Sequence, residues 1–265
     1  MLFLFEVARI SGRSGSPYVF DKRERRLCQA SLYFSEIQFV GRVANATFQQ
    51  CQIGNVRMKP TFTASLMAGG KSSRMGQDKA LLRVMWQGAP TSLWKRQLSI
   101  LESLDPDEVL ISGPRKNEYP DSVTVIPDDW ADKGPLGGIA TCLSRTHSEL
   151  LLILAVDLPF IQPAFLRTLL DRARSDCGVI PVHRDRFEPL VAVYPLLALQ
   201  TALASLKNGE LVLQQFADRL LGKKLLVSYK VEPWEEFQLQ NWNTPDDVLD
   251  CGLRNPKMRI ADCGH

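Results

Sequence analysis

The sequence of 265 residues lacks a long apolar run and any Cys-x-x-Cys pair, and it has only three histidines. About 18 consecutive apolar residues are needed to span a bilayer, and the opening run at residues 1–5 is too short for the core of a signal peptide. The six cysteines are expected to be reduced thiols, because a chain this long does not need disulfides to hold its core. We therefore expect a globular cytoplasmic protein that does not bind membranes.

Several common catalytic and nucleotide-binding motifs are also missing. There is no H-E-x-x-H zinc motif, no Gly-x-Ser-x-Gly elbow and no G-x-G-x-x-G fingerprint. Gly70-Lys71-Ser72 has the ending of a Walker A motif, but Ser65 stands where that motif needs its first glycine. These absences argue against zinc chemistry, a serine triad and a P-loop.

The net charge of +3 is unevenly distributed along the chain. Residues 1–57 carry eight basic and four acidic side chains, which leaves 24 basic and 25 acidic groups for the rest. A basic cluster such as Lys22-Arg-Glu-Arg-Arg26 can bind nucleic acid, but it is more often a solvated surface or a tail. We favour the second reading, so nucleic acid is not an expected partner.

From residue 61 onward, short apolar segments alternate with segments of helical periodicity. Strands are predicted at residues 62–68, 108–112, 123–126, 150–156, 178–182, 190–194 and 224–231. Helices are predicted at residues 92–104, 139–144, 163–174, 196–206 and 211–221. This order predicts an α/β fold with helices on both faces of a mostly parallel sheet that has an antiparallel portion. In such sheets, ligands bind beyond the carboxyl ends of the strands.

The loop after the first predicted strand combines small residues with cations. It reads Met67-Ala-Gly-Gly-Lys-Ser-Ser-Arg-Met-Gly-Gln-Asp-Lys79. Small residues let the backbone approach a ligand, exposed amides hold anions, and Arg and Lys bind phosphate oxygens. With Lys71, Arg74 and Lys79 in one loop, the pattern favours a triphosphate clamp over a glycine turn with solvated cations.

Two further loops carry carboxylates at strand ends. Asp157 follows the apolar strand at 150–156, where it either binds Mg²⁺ that bridges substrate phosphates or caps the turn before the next helix. Asp128 and Asp129 precede the segment Gly134-Pro-Leu-Gly-Gly138, and they either hold a ribose hydroxyl or metal or belong to a simple helix entry. The residues alone leave both choices open.

Taken together, these segments resemble the molybdenum cofactor guanylyltransferases, a family of Rossmann-like nucleotidyltransferases. Residues 67–82 match the family signature L-A-G-G-x-S-x-R-M-G-x-D-K-A-L-L, with Met67 in place of the usual Leu. Weaker matches follow in the same order: Val125-Ile-Pro-Asp-Asp129, Gly134-Pro-Leu-Gly-Gly-Ile139, Asp157-Leu-Pro159, Glu188-Pro-Leu190 and Asn243-Thr-Pro-Asp246. The resemblance spans about residues 62–248 and implies a three-layer Rossmann-like fold.

The resemblance also implies an activity, a cofactor and partners. The family transfers GMP from GTP to the terminal phosphate of molybdopterin, with release of pyrophosphate. The implied partners are GTP, molybdopterin, and the molybdoenzymes or chaperones that receive the product. The implied cofactor is Mg²⁺, held by Asp157. The implied site residues are Arg74, Lys79 and Asp157 for catalysis, and Met67, Ala68, Gly69, Gly70, Lys79, Asp128 and Asp157 for GTP, with Asn243 near the pterin or metal side.

The resemblance bears on the choice of base as well. Relatives that use cytidine nucleotides typically carry L-A-A-G where this chain has Met67-Ala-Gly-Gly70, and the glycine at position 69 goes with the larger guanine. This favours GTP over CTP. Ser112 stands where some members have an Asn that contacts the nucleotide, so we assign no nucleotide contact to it.

Three other functions compete with this one. The nearest is a cytidylyl- or uridylyltransferase of the same fold that acts on another phosphate acceptor. A non-catalytic GTP-binding protein is disfavoured by the joint retention of Arg74, Lys79 and Asp157. A protein that binds nucleic acid through its basic first segment would show salt-dependent binding.

The start of the resemblance divides the chain. Met58 lies nine residues before Met67, about where such enzymes begin. We therefore expect residues 1–57 to be a poorly ordered extension or the product of a misplaced start, and residues 58–265 to form the nucleotidyltransferase domain.

Overall fold

The structure, a computed structural model, describes residues 59–69, 79–86, 88–130 and 132–242. The strands in these ranges are β1 (Phe62–Met67), β2 (Arg83–Trp86), β3 (Ala89–Ser92), β4 (Glu108–Ser112), β5 (Thr124–Ile126), β6 (Leu150–Ala155), β7 (Gly178–His183), β8 (Arg186–Phe187), β9 (Val191–Pro195) and β10 (Leu226–Lys230). The α-helices are α1 (Leu93–Glu102), α2 (Gly134–Arg145), α3 (Pro163–Arg172), α4 (Ala198–Asn208) and α5 (Leu213–Gly222). Short 3₁₀ helices lie at Lys79–Leu81 and Glu236–Leu239.

The main sheet has the strand order β10-β7-β9-β6-β1-β4-β5, and β8 pairs with β7. The strands β6, β1, β4 and β5 are parallel neighbours, and β10 runs parallel to β7. By contrast, β9 runs antiparallel to both β6 and β7, and β8 runs antiparallel to β7. A separate antiparallel ribbon is formed by β2 and β3. The sheet is therefore mostly parallel with an antiparallel portion, as predicted.

Strand β6 shows why the sheet is covered on both faces. All six of its residues are buried, and the side chains of the first five alternate between two apolar clusters. Leu150, Leu152 and Leu154 pack in the cluster that contains the apolar sides of α1 and α3. Leu151 and Ile153 pack in the cluster formed with α2, α4 and α5. The result is three layers, which confirms the predicted fold class.

The helix α2 begins earlier than the sequence pattern indicated. The predicted helix started at Ile139, but α2 includes the whole segment Gly134–Gly138. Pro135 suits the first turn of a helix because its missing N–H would have no partner there. The two later glycines, Gly137 and Gly138, lie within α2 and are buried.

Two further features were not expected or were only partly expected. The ribbon of β2 and β3 was not predicted, because it is short and Gly88 and Pro90 interrupt its pattern. The antiparallel region predicted around residues 178–194 is present, and β7 and β8 join through Arg184 and Asp185, both with positive φ. Such a two-residue turn has the backbone twist that a tight hairpin requires.

The described residues include no helix that is both long and apolar enough to cross a bilayer. The predicted domain boundary at residue 58 lies outside the described residues, as does the basic cluster near Lys22.

We predict that Gly178→Ala destabilises the protein, because a Cβ at this position would lie 2.0 Å from the Val193 carbonyl oxygen. The backbone of β7 and β9 must separate to admit it, at a cost of about 1–3 kcal/mol or more in the free energy of unfolding. Denaturant unfolding followed by circular dichroism measures the effect.

Gly222→Ala is the matched control, because a Cβ there meets no atom within 4 Å at the end of α5. We expect the free energy of unfolding of this variant to equal that of the wild type or to exceed it by up to about 1 kcal/mol. Equal unfolding midpoints for both variants would contradict the described pairing of β7 with β9.

Candidate functional site

A cavity of about 770 Å³ lies where the carboxyl ends of the central strands meet. In the register of the sheet, Met67 at the end of β1 lies opposite both Ser112 of β4 and Ala155 of β6. Hydrogen bonds continue beyond the strands: Ala68 N donates to Ser112 O at 3.0 Å, and Val156 N donates to Met67 O at 3.1 Å. The loops that follow the three strands are therefore held side by side around the cavity.

Lys79 and Asp157, which lie 78 positions apart in the sequence, form an ion pair in this cavity. Lys79 Nζ lies 3.0 Å from Asp157 Oδ2, and the two side chains are only 19% and 23% exposed. The backbone carbonyl of Asp157 also accepts a hydrogen bond from Trp242 N at 3.0 Å. The structure thus brings together two of the three residues that the sequence predicted to be catalytic.

Asp157 does not cap the helix that follows it. The N-cap residue of α3 is Gln162, five positions later, and it makes no side-chain capping hydrogen bond. Asp157 lies in the turn after β6 and lines the cavity, and its carboxylate forms the ion pair with Lys79.

Asp128 and Asp129 point in different directions. Asp128 lines the cavity, and its Oδ1 accepts hydrogen bonds from Trp130 N at 2.9 Å and from Thr141 Oγ1 of α2 at 3.1 Å. Asp129 instead forms an ion pair with Arg145 at 2.9 Å. Of the two carboxylates, Asp128 is thus the one held at the cavity, with its orientation fixed by two protein donors.

Glycines allow the walls of the cavity to come close together. A Cβ on Gly113, whose φ is +137°, would lie 2.8 Å from Gly69 N, so the loops after β1 and β4 can touch only with glycine there. A Cβ on Gly137 would lie 2.7 Å from Trp130 O and 3.2 Å from both carboxylate oxygens of Asp128. Glycine at 137 therefore lets α2 pack against the loop that carries Asp128.

The predicted backbone contacts at Met67, Ala68 and Gly69 lie on the cavity wall. Gly70, Arg74 and Asn243 lie outside the described residues, so the structure leaves these predictions untested. The cavity also includes residues that we had not assigned to the site, among them Ser112, Gly113, Pro114, Asp132, Pro135 and Leu190. The signal that could have identified some of them is their place in the sequence, because Gly113 and Pro114 directly follow β4 and Leu190 directly precedes β9.

The donor groups at Asp157 fit a metal ion that is bound jointly by protein and substrate. Among the described residues, no three His, Cys, Asp or Glu side chains converge as a metal site. Mg²⁺ in phosphate-transfer sites is held by one or two carboxylates, with substrate phosphates and waters as the other ligands. The Asp157 carboxylate, without two further protein ligands beside it in the described residues, is compatible with that arrangement and not with an all-protein cage.

The two described cysteines are free and buried. Burial raises the pKa of the Cys142 thiol, which lies 3.1 Å from Ser65 Oγ, and it also raises the pKa of Cys177. The thiolate is the nucleophilic form of cysteine. Both side chains are free thiols, as the sequence predicted, and burial disfavours their thiolate form.

Comparison with protein-family models matches residues 64–233 to the MobA-like NTP transferase domain. A probable molybdenum cofactor guanylyltransferase from Opitutus terrae is 33% identical over 189 residues, which cover 69% of this chain and 91% of the relative. A probable molybdenum cofactor guanylyltransferase from Flavobacterium johnsoniae is 31% identical, and the match covers 73% of this chain and 97% of that protein.

Solved structures share the fold. The molybdopterin-guanine dinucleotide biosynthesis protein A from Archaeoglobus fulgidus superposes with a TM-score of 0.56 at 24% identity, covering 71% of this chain and 95% of that one. The 2-C-methyl-D-erythritol 4-phosphate cytidylyltransferase from Thermus thermophilus gives a TM-score of 0.53 at 18% identity, covering 71% of this chain and 96% of that one. These likenesses place the chain in the nucleotidyltransferase fold.

Proposed function

The chain belongs to the MobA-like NTP transferase family and is a nucleotidyltransferase, and from that premise we propose that it acts on GTP and molybdopterin. It transfers GMP to the terminal phosphate of molybdopterin, which yields molybdopterin guanine dinucleotide and pyrophosphate. The observation that carries this proposal is the Lys79–Asp157 pair in a cavity lined by Met67, Ala68 and Gly69. Location in the cytoplasm and delivery of the product to molybdoenzymes or their chaperones belong to the same proposal.

The reaction brings two anions together, so the site must offset negative charge. An oxygen of the acceptor phosphate attacks the α-phosphorus of GTP in line with the bond to the leaving pyrophosphate. No protein nucleophile is needed. The enzyme accelerates the reaction by positioning the two substrates and by neutralising the charge on their phosphates. Lys79 contributes a cation at the phosphates, and we propose that Arg74 contributes a second.

Asp157 is the residue we propose to hold Mg²⁺. When bound there, the ion supplies Lewis-acid stabilisation of the charge on the phosphates. Lys79 Nζ contacts the Asp157 carboxylate in the cavity at 3.0 Å. This contact keeps the carboxylate oriented toward the cavity and limits its rotation.

Asp128 is the residue we propose to orient the nucleoside. Its Oδ1 is already bonded to Trp130 N and Thr141 Oγ1, which fixes the plane of the carboxylate. A carboxylate with a fixed orientation can accept hydrogen bonds from the nucleoside of GTP without first losing rotational freedom.

The cytidylyl- or uridylyltransferase alternative is not favoured. Two relatives that match this chain over 91% and 97% of their own length are named probable molybdenum cofactor guanylyltransferases. A glycine at position 69 also leaves the cavity wall without a side chain, which suits the larger base.

We predict that the purified protein, with Mg²⁺ and molybdopterin, releases pyrophosphate at least about tenfold faster with GTP than with CTP, UTP or ATP. The readouts are pyrophosphate release and detection of the guanine dinucleotide by mass spectrometry. Equal or faster product formation with CTP would contradict the assignment of the nucleotide.

A second prediction concerns base selection through Gly69→Ala. The added Cβ would lie 3.4 Å from Gly113 Cα and 3.7 Å from Ser112 O, so the fold accommodates it at ordinary contact distance. We expect the ratio of kcat/KM for GTP to kcat/KM for CTP to fall about tenfold, because the new methyl group reduces the space for the larger base. Gly222→Ala, a glycine substitution outside the cavity, serves as the control and should keep the wild-type ratio.

A third prediction concerns Asp157→Ala. We expect GMP transfer to fall at least about 100-fold, because the metal ligand is lost, while the unfolding midpoint stays near that of the wild type. The control is Asp171→Ala, because Asp171 forms a similar ion pair with Lys59 at 2.9 Å but on the exposed surface. Full activity in the Asp157 variant would refute its role as metal ligand.

A further inference from the structure

Two neighbouring residues of α1 reach the loop that carries Asp157. The side chains of Arg96 and Gln97 are completely buried. Gln97 Nε2 donates to the backbone carbonyl of Leu158 at 2.6 Å, and Arg96 Nη2 donates to the carbonyl of Ile161 at 2.9 Å. The backbone between Asp157 and α3 is therefore tied to α1 at two carbonyl groups by side chains that have no contact with water.

Arg96 is an unusual residue to bury in this place. Within the part of the chain that the structure describes, no carboxylate forms an ion pair with it, and its partners are Gln97 Oε1 at 2.8 Å, the Ile161 carbonyl and the face of Trp86 at 4.4 Å. Burial lowers the pKa of Arg96 to about 10, so the guanidinium stays protonated at neutral pH. Hydrogen bonds from a charged donor are stronger than those from a neutral donor, so Arg96 binds the Ile161 carbonyl strongly.

Arg96 also contacts the part of the chain that follows Lys79. Trp86 belongs to β2, which begins shortly after the 3₁₀ helix that contains Lys79. At the other end, Leu158 directly follows Asp157 in the sequence. Arg96 and Gln97 thus lie between the two segments that supply the Lys79–Asp157 ion pair.

We infer that Gln97 and Arg96 are positioning residues, which set the place of Asp157 relative to Lys79 through the bonds to Leu158 and Ile161. The inference rests on the proposed function for its kinetic readout. It predicts that loss of the Leu158 bond slows the chemical step and leaves GTP binding largely unchanged. The reason is that Ala68, Ser112 and Asp128 are held by other strands and by α2.

Two substitutions of Gln97 test the positioning role. Gln97→Met keeps a similar volume but removes the bonds to both Leu158 and Arg96. Gln97→Glu keeps an acceptor for Arg96, and the adjacent guanidinium keeps the carboxylate ionised. An ionised carboxylate has no proton to donate, so this variant replaces the bond to the Leu158 carbonyl with a repulsive contact between two oxygen atoms.

We expect kcat to fall about tenfold or more in both variants, because displacement of a catalytic group by about 1 Å has effects of that size or larger. KM for GTP should stay within about twofold of the wild type. Unfolding midpoints should fall in both variants, so kcat is measured well below the lower midpoint and a separate control is needed for the loss of stability.

Thr146→Val is the matched control, because it also removes buried side-chain hydrogen bonds, here from the loop after α2 to β1 and to Ser148 of the same loop. Thr146 Oγ1 donates to Thr63 Oγ1 at 2.6 Å and accepts from Ser148 N at 3.2 Å, at the amino edge of β1 and β6, the edge opposite to the cavity. We expect this variant to lose stability and to retain the wild-type kcat.

A wild-type kcat in Gln97→Glu would overturn the inference. A fall in the kcat of Thr146→Val as large as that in the Gln97 variants would also overturn it. The wild-type protein is assayed in parallel with GTP and molybdopterin. Absence of transfer in the wild type contradicts the proposed function itself, whereas an active wild type with an equally active Gln97→Glu contradicts only the positioning role.

Discussion

The arrangement of the site depends on one constraint, which is the register of β1 between its two parallel neighbours. Because Met67 lies opposite both Ser112 and Ala155, three strands end at the same level of the sheet. The hydrogen bonds of Ala68 N and Val156 N then extend this alignment into the loops. A shift of one residue in either pairing would turn the side chains of that strand to the opposite face. The two apolar clusters, which accept alternate side chains of β6, oppose such a shift.

The aligned loops place groups of opposite charge in one partly buried cavity. Lys79 and Asp157 neutralise each other at 3.0 Å, so neither charge is buried without a partner. Asp128 is likewise held by protein donors, from Trp130 and Thr141. For a reaction between two phosphates, this arrangement means that the charged groups are oriented before the substrates arrive, which lowers the cost of reorganisation. Arg96 and Gln97 also restrain the loop that follows Asp157, through buried hydrogen bonds to two of its backbone carbonyls.

The sequence was informative where a local pattern has one physical outcome. The apolar segment at 150–156 could be placed as a central strand, because a strand buried on both faces needs apolar residues at every position. The rule that ligands bind at carboxyl ends of parallel strands led to Asp128 and Asp157, and both line the cavity. The signature around Met67 then indicated the family.

Other features could not be read from local patterns, because they depend on contacts between distant residues. The separate directions of Asp128 and Asp129 follow from Thr141 and Arg145 on α2, more than ten positions away. The predicted helix began only at residue 139 because glycine is a poor helix former, whereas Gly137 lies within α2 and packs closely against the carbonyl of Trp130. Burial of the charged Arg96 runs against the usual preference of arginine for the surface.

The most direct measurement of the central claim follows the phosphorus atoms of GTP during turnover with molybdopterin. GTP labelled at the α-phosphorus should pass its label into the molybdopterin product, and GTP labelled at the γ-phosphorus should release its label only as pyrophosphate. Label from the γ-position in the product, or its release as inorganic phosphate, would contradict nucleotidyl transfer at this site.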